Sequence, residues 1–350
     1  MRTPRSLNPI VLALVLVVGA VVGWELFLRG QGLTPDFDDG PELWADKRAM
    51  VYAPADRSTV FIGSSRIKFD LDVETWQKIA GTDAIQLAMV GSSPRTILND
   101  LAKDQNFRGN LIVDVTENLF FNLAPRVNLT PDEAINYYHK LTPAQKVSFE
   151  LDKIMESRLV MLNKNFYSLN GLLEHLYIPN RQGVYARADF PIGFSQTLYN
   201  RQSKMSDSFL ADTARINKVK AIWRAGRKRD RTPPVSGKTL DAILNLVKRD
   251  VDQIRARGGT VLFLRTPSSG LYLTGEKKSY PKEKYWDKLL AVTQCKGIHF
   301  TEYATLNNLT CPEFSHLSPR DAVRYTKGII DILKKENRLT VIASSGRLLD

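Results

Sequence analysis

Three short segments carry side chains that could do chemistry: Gly63-Ser64-Ser65-Arg66, Gly91-Ser92-Ser93 and Glu313-Phe314-Ser315-His316. A serine hydroxyl is a weak nucleophile until a base takes its proton, and the base needs a third group to hold its tautomer. Ser65, His316 and Glu313 supply one residue of each kind. Backbone N–H groups in a tight glycine-containing turn are natural donors to an oxyanion, which gives Gly91 a role that no side chain supplies. Taken singly, small serines after a strand are ordinary turn residues. Their combination with Glu-x-x-His is what points to nucleophilic catalysis. Arg66 either pairs with an internal acid, the reading favoured here, or holds a substrate carboxylate or phosphate at the rim. His139, His175 and His299 read as structural.

These segments can meet only if a scaffold brings strand ends to one rim. The apolar runs 59–62, 84–88 and 110–115 read as strands stopped by turn or cap residues, with 260–264 and the weaker 298–301 as a fourth and fifth. Asp72 caps a helix after the first strand, and Ser93 with Pro94 opens another that carries Ile97, Leu98 and Leu101. Leu240, Ile243, Leu244, Val247, Val251 and Ile254 mark one face of a helix stopped by Gly258-Gly259. Ser318-Pro319-Arg320-Asp321 opens the last helix, with Ala322, Tyr325, Thr326, Ile329, Ile330 and Leu333 on one face. Strands alternating with helices predict an α/β fold, a three-layer αβα sandwich around a mainly parallel, flavodoxin-like five-stranded sheet. In such sheets, sites form beyond the carboxyl ends of the strands. The expected organisation is an anchor over 1–29, a stalk over 30–56, the α/β domain over 57–122 and 238–340, and a helical, basic insertion over 123–237. From Arg201 to Arg231 there are ten Lys/Arg and three Asp, a net +7. That block is either a solvated helix face or a contact for anionic lipid headgroups or an acidic glycan.

Lys and Arg outnumber Asp and Glu by 49 to 37, a net +12, while 43% apolar and 25% charged residues exclude a disordered polymer and a multi-span membrane protein. Two cysteines and four histidines leave no zinc-finger spacing and no dense disulfide framework, so no metal is expected. The uncharged run 9–24, extended by Leu26-Phe27-Leu28, approaches the roughly 20 residues that cross a bilayer, with Trp24 at the interface. Arg2 and Arg5 precede it and Asp36, Asp38 and Asp39 follow, which keeps the N-terminus cytoplasmic and exports the rest. A cleaved signal peptide is the alternative, but no clear small-x-small site follows the run, so an uncleaved anchor is expected. Export sets nucleic acid aside as a partner despite the basic charge. It also makes a disulfide between Cys295 and Cys311 the expected state, with two buried free thiols as the alternative.

At the three chemical segments the sequence resembles the SGNH, or GDSL-type, hydrolase and acyltransferase superfamily. Its first block is Gly-Asp-Ser, and its last is Asp-x-x-His before a C-terminal helix. Here the blocks read Gly63-Ser64-Ser65 and Glu313-x-x-His316, and the likeness covers most of the exported part outside the insertion. The resemblance implies Ser65 as nucleophile, His316 as base, Glu313 as orienting acid and Gly91 as the second-block glycine of the oxyanion hole. Ser64 stands where the family has Asp, and Glu313 is one methylene longer than the family's acid. Asn118, followed by Asn122, is the nearest candidate for the third-block Asn. A Gly-Ser-Ser first block behind a single N-terminal anchor looks most like the envelope-polymer branch, which includes alginate O-acetylation proteins and the anchored partner of teichoic-acid D-alanylation. The resemblance thus implies cofactor-free acyl transfer to or from a hydroxyl through a Ser65 ester. The substrate would be an envelope glycan or lipid, at the periplasmic face of the inner membrane and beside a membrane-bound O-acyltransferase. The alternative is a non-catalytic SGNH-fold partner or scaffold of that acyltransferase.

Overall fold

Seven short strands occur among the residues described by the computed structural model, which are 8–54, 57–163, 189–229 and 232–336. They are β1 (Ser58–Ile62), β2 (Asp83–Gln86), β3 (Asn110–Asp114), β4 (Gln196–Thr197), β5 (Ser203–Lys204), β6 (Thr260–Arg265) and β7 (Lys296–His299). Five of them form a parallel sheet in the order β2-β1-β3-β6-β7, while β4 and β5 pair antiparallel as a separate ribbon. Counted within the sheet alone the order is 2-1-3-4-5, so the winding direction reverses between β1 and β3, the place where sheets of this topology form a crevice beyond their carboxyl ends. Ser65 and Thr116 lie just beyond those two ends.

The chain forms two compact units, one built from Met1–Asp38 and Thr142–Asp189 and the other from Asp39–Leu141 and Phe190–Asp350. In the second unit, alternate strand residues point to opposite faces of the sheet. Ile62, Val113 and Phe263 pack with Leu98, Leu101, Leu244 and Val251 from the helices Pro94–Lys103 and Gly237–Ala256. Phe61, Ile112 and Leu264 pack on the other face with Trp76, Tyr325 and Ile329 from Val73–Ala80 and Pro319–Lys335. The result is the expected α/β sandwich with helices on both faces of a parallel sheet. The expected caps are in place: Asp72, Ser93 and Ser318 side chains accept from the N–H groups of Thr75, Arg95 and Asp321.

Three expectations need correction. The disulfide between Cys295 and Cys311 is absent, and both thiols are free and buried. Cys295 belongs to the core on one face of the sheet and Cys311 to the core on the other, so the sheet stands between them. The segment read as a stalk contains the helix Pro41–Ala49, whose Trp44 and Arg48 are fully buried. Its inward face includes two cations, Lys47 and Arg48, which hid the apolar periodicity; Arg48 is neutralised by Asp100 and Asp104 at 2.9 and 2.8 Å. Finally, the basic block is not solvated throughout, because Arg201 is fully buried with its Nε donating to Asp39 at 2.8 Å and an Nη donating to the Gln86 carbonyl.

The first unit holds the helix Pro9–Gly30, long and apolar enough to cross a membrane, and the helix Pro143–Glu156. Arg2, Arg5, His175, Arg231 and the end of the expected α/β domain at 337–340 lie outside the described residues.

Candidate active site

Ser65 is the first residue of a short helix, Ser65–Asp70, that begins as soon as β1 ends. Two features force that tight turn. Gly63 has no room for a side chain, since a Cβ would sit 2.6 Å from both Asp114 Cβ and Ile67 Cγ2. Ser64 caps the helix through the Arg66 N–H, and its hydroxyl also bonds the Thr116 hydroxyl at 2.7 Å, which in turn donates to Asp114 Oδ2 at 3.0 Å. Ser64 therefore ties the end of β1 to the end of β3 and is buried away from the crevice.

His316 precedes the last helix and places Nε2 2.9 Å from Ser65 Oγ. Its Nδ1 lies 2.9 Å from Glu313 Oε1, and the same oxygen accepts the backbone N–H of His316 at 2.6 Å and of Ser315 at 3.3 Å. A carboxylate only accepts, so the imidazole carries its proton on Nδ1 and presents a lone pair at Nε2 to the serine hydroxyl. The extra methylene of Glu313 lets the carboxylate fold back over its own turn while Oε2 accepts from Trp223 Nε1–H. Glu313 is fully buried, His316 nearly so, and Ser65 is half-exposed. Phe69 covers the imidazole face with ring centroids 4.4 Å apart, and Phe194 and Trp223 close the other sides at 5.9 and 6.2 Å.

The Glu313–His316 turn requires a left-handed residue. Phe314 supplies it at φ 84°, a conformation costing on the order of 1–3 kcal/mol in a non-glycine residue. It is held there by Ser269 N–H donating to the Phe314 carbonyl at 2.9 Å and by Phe314 N–H donating to the Cys311 carbonyl at 3.1 Å.

Arg66 points away from the crevice into a buried charge network. Its guanidinium pairs with Glu276 and donates to Ser315 Oγ at 3.4 Å. Glu276 also accepts from Arg265 at 2.6 Å and Ser268 at 2.6 Å, and Arg265 donates to Glu117 at 2.7 Å. Burial opposes ionisation of Glu276, but the two guanidiniums outweigh it and pull its pKa down to about 2. Arg66 is thus a brace under Ser65, an internal ion-pair partner of Glu276.

Gly91 lies in a turn at φ 65°, tied to the first strand end by Met89 N–H donating to the Gly63 carbonyl at 3.1 Å. Asn118, on the short helix Glu117–Phe120, is exposed and lines a pocket of about 180 Å³ with Arg227, Tyr272, Glu276 and Tyr280. Among the described residues its side chain makes no hydrogen bond to Ser65, His316 or Glu313, while Thr116 and Glu117, just past the end of β3, bond Ser64 and Arg265. Ser65, His316 and Glu313 are brought together; Asn118 is not joined to them. His139 bonds Asp100 Oδ1 at 2.8 Å and His299 packs on Trp286 and Phe300, both outside the triad. Among the described residues no group of three or more His, Cys, Asp and Glu could hold a metal ion. The sequence does not point to Trp223 or Glu276, because nothing local links a tryptophan in a basic helix to an acid ninety residues later.

Beneath the triad, Asp70 accepts the Leu317 N–H through Oδ1 at 2.8 Å while its buried Oδ2 has no partner. Burial, aided by Asp114 and Glu313, lifts its carboxyl well above the usual range. A raised folded value means that Asp70 contributes stability fully below the unfolded value of about 3.9, and that this contribution is lost as pH rises toward the folded value. Asp70→Asn keeps the acceptor for Leu317 and removes the charge. The variant should melt a few degrees higher than wild type at pH 7–8, corresponding to about 1–3 kcal/mol. The gap should narrow as pH falls toward 4 in a series of thermal melts.

In comparisons with known proteins, the chain matches no family model and no curated protein.

Proposed function

We propose that the chain is a membrane-anchored, SGNH-like serine esterase or O-acyltransferase that moves acyl groups on an envelope glycan or lipid through a Ser65 ester. The observation that carries this reading is the relay in which Ser65 Oγ, His316 and the buried Glu313 are joined by two 2.9 Å contacts. Ser65 Oγ attacks the ester carbonyl as His316 Nε2 takes its proton, and the Glu313 carboxylate stabilises the imidazolium that forms. The oxyanion is met by backbone N–H groups at the start of Ser65–Asp70 and in the Gly91 turn. The bond to the leaving alkoxide then breaks and His316 returns the proton to it. Water or an acceptor hydroxyl, deprotonated by the same imidazole, releases the acyl group from Ser65. The span Pro9–Gly30 supports placement of this chemistry at a membrane, read here as the periplasmic face of the inner membrane with a membrane-bound O-acyltransferase as donor.

The test is pre-steady-state cleavage of p-nitrophenyl acetate by the full chain. A burst of p-nitrophenol equal to the enzyme present, with a slow phase accelerated by an acceptor glycan, is expected. A folded chain without a burst would favour the scaffold role instead.

Trp223 offers a finer prediction. Trp223→Phe keeps the ring but removes the Nε1–H that Glu313 Oε2 accepts. A hydrogen bond to a charged group contributes about 1.5–3 kcal/mol, so the burst rate constant should fall by about tenfold or more with little change in substrate affinity.

A further inference from the structure

The helix Pro143–Glu156 turns its apolar face outward. Val147, Leu151, Ile154 and Met155 follow one another at i, i+4, i+7 and i+8, a stripe about 100° wide that a water-facing helix would bury against its own core. Here they are 62%, 59%, 50% and 43% exposed. The opposite side is the one turned inward, with Gln145, Phe149 and Lys153 half-buried and Glu156 buried.

The chain that follows this helix is fastened to the end of the apolar helix Pro9–Gly30. The backbone N–H groups of Val160 and Met161 donate to the two carboxylate oxygens of Glu25, each at 3.0 Å. Arg29, paired with Glu25 at 2.8 Å, also donates to the Arg158 carbonyl. Glu25 and Arg29 occupy the last two turns of Pro9–Gly30, beside Trp24 and Phe27, whose rings stack 5.5 Å apart and remain largely exposed. Aromatic rings and charged residues at the end of a span mark the headgroup level of a bilayer. Only Ser157, Arg158 and Leu159 lie between Glu156 and Val160, and the four chain steps reach at most about 14 Å, so the C-terminal end of the amphipathic helix is held near that level.

We propose that Pro143–Glu156 is an interfacial helix, lying in the headgroup and upper acyl region of the same bilayer that Pro9–Gly30 crosses, with Val147, Leu151, Ile154 and Met155 immersed in lipid. A span alone fixes depth but leaves rotation about its axis free. A second helix laid on the surface and strapped to Glu25 adds a lateral foothold, so the first unit grips the membrane at two points. The inference does not depend on the Ser65 chemistry.

The test uses the full chain in lipid nanodiscs. Leu151→Cys and Ile154→Cys on the stripe, and Asp152→Cys beside it, are labelled with a thiol-reactive fluorophore, and the unsubstituted chain, whose two thiols are buried, serves as the blank. The stripe probes should lose most of their emission to shallow doxyl-labelled lipid and be spared by aqueous iodide, with the reverse at Asp152→Cys. Equal iodide quenching at all three positions would overturn the proposal by showing a solvated face. Protection of the stripe from both quenchers would overturn it too, by showing that another protein surface covers it.

Discussion

Ser65→Ala and His316→Ala should each reduce acetyl-ester turnover by about 10³-fold or more while leaving the melting curve of the chain close to wild type. The serine is half-exposed and begins its helix at the crevice rim, so losing one hydroxyl removes the attacking atom and little packing. His316 is more embedded, with Phe69, Phe194 and Trp223 around its ring, and His316→Asn is the control that retains a polar group of similar reach. Because the two residues act as one device, Ser65→Ala combined with His316→Ala should be hardly slower than either alone. Glu313→Gln should fall between wild type and these variants. The amide can still accept at one atom, but it cannot receive His316 Nδ1–H, two backbone N–H groups and the Trp223 indole as a carboxylate does. Steady-state kinetics with parallel thermal melts separate these outcomes from simple unfolding.

The largest effect on stability should come from Arg265. Its side chain is buried, donates to Glu117 at 2.7 Å and Glu276 at 2.6 Å, and also holds the Thr266 carbonyl. Arg265→Met fills most of the volume but leaves two carboxylates to share Arg66 alone. Removing one partner from a buried charge network costs about 3–5 kcal/mol, because the remaining charge has lost its solvent as well as its counter-ion. The urea midpoint should drop by that equivalent with the slope unchanged. Adding Glu117→Gln to Arg265→Met should recover part of the loss, and the shortfall from additivity gives the coupling of the pair. If Arg265→Met alone is neutral, the network is solvated in solution and its role as a brace under Ser65 falls with it.

Much of the sheet could be read from the sequence because its signals are local. Strand runs ended by Gly63-Ser64 and by Gly91, and a helix ended by Gly258-Gly259, are short-range patterns, as are the Asp72, Ser93 and Ser318 caps. Ser65, Glu313 and His316, which the fold brings together, are equally visible, since they lie just after a strand or just before a capped helix. What escaped was long-range. The indole that holds Glu313 comes from the helix Thr213–Arg229, read only as a basic face. The helix Pro41–Ala49 was missed because buried Arg48 and Lys47 break the apolar pattern that announces a helix. The cysteine pairing rested on sequence separation and compartment, and neither reports on which side of a sheet a side chain lies. The tie between the strand ends is long-range too: Thr116 and Glu117, two and one residues before Asn118, bond Ser64 and Arg265.

The most direct measurement is the intact mass of the full chain after treatment with a fluorophosphonate, followed by peptide mapping. The account predicts a single adduct on Ser65 that forms in wild type, is lost in Ser65→Ala and is strongly slowed in His316→Ala. A folded wild-type chain that takes no adduct, or takes it on another residue, would contradict the claim that Ser65 is a nucleophile activated by His316 and Glu313.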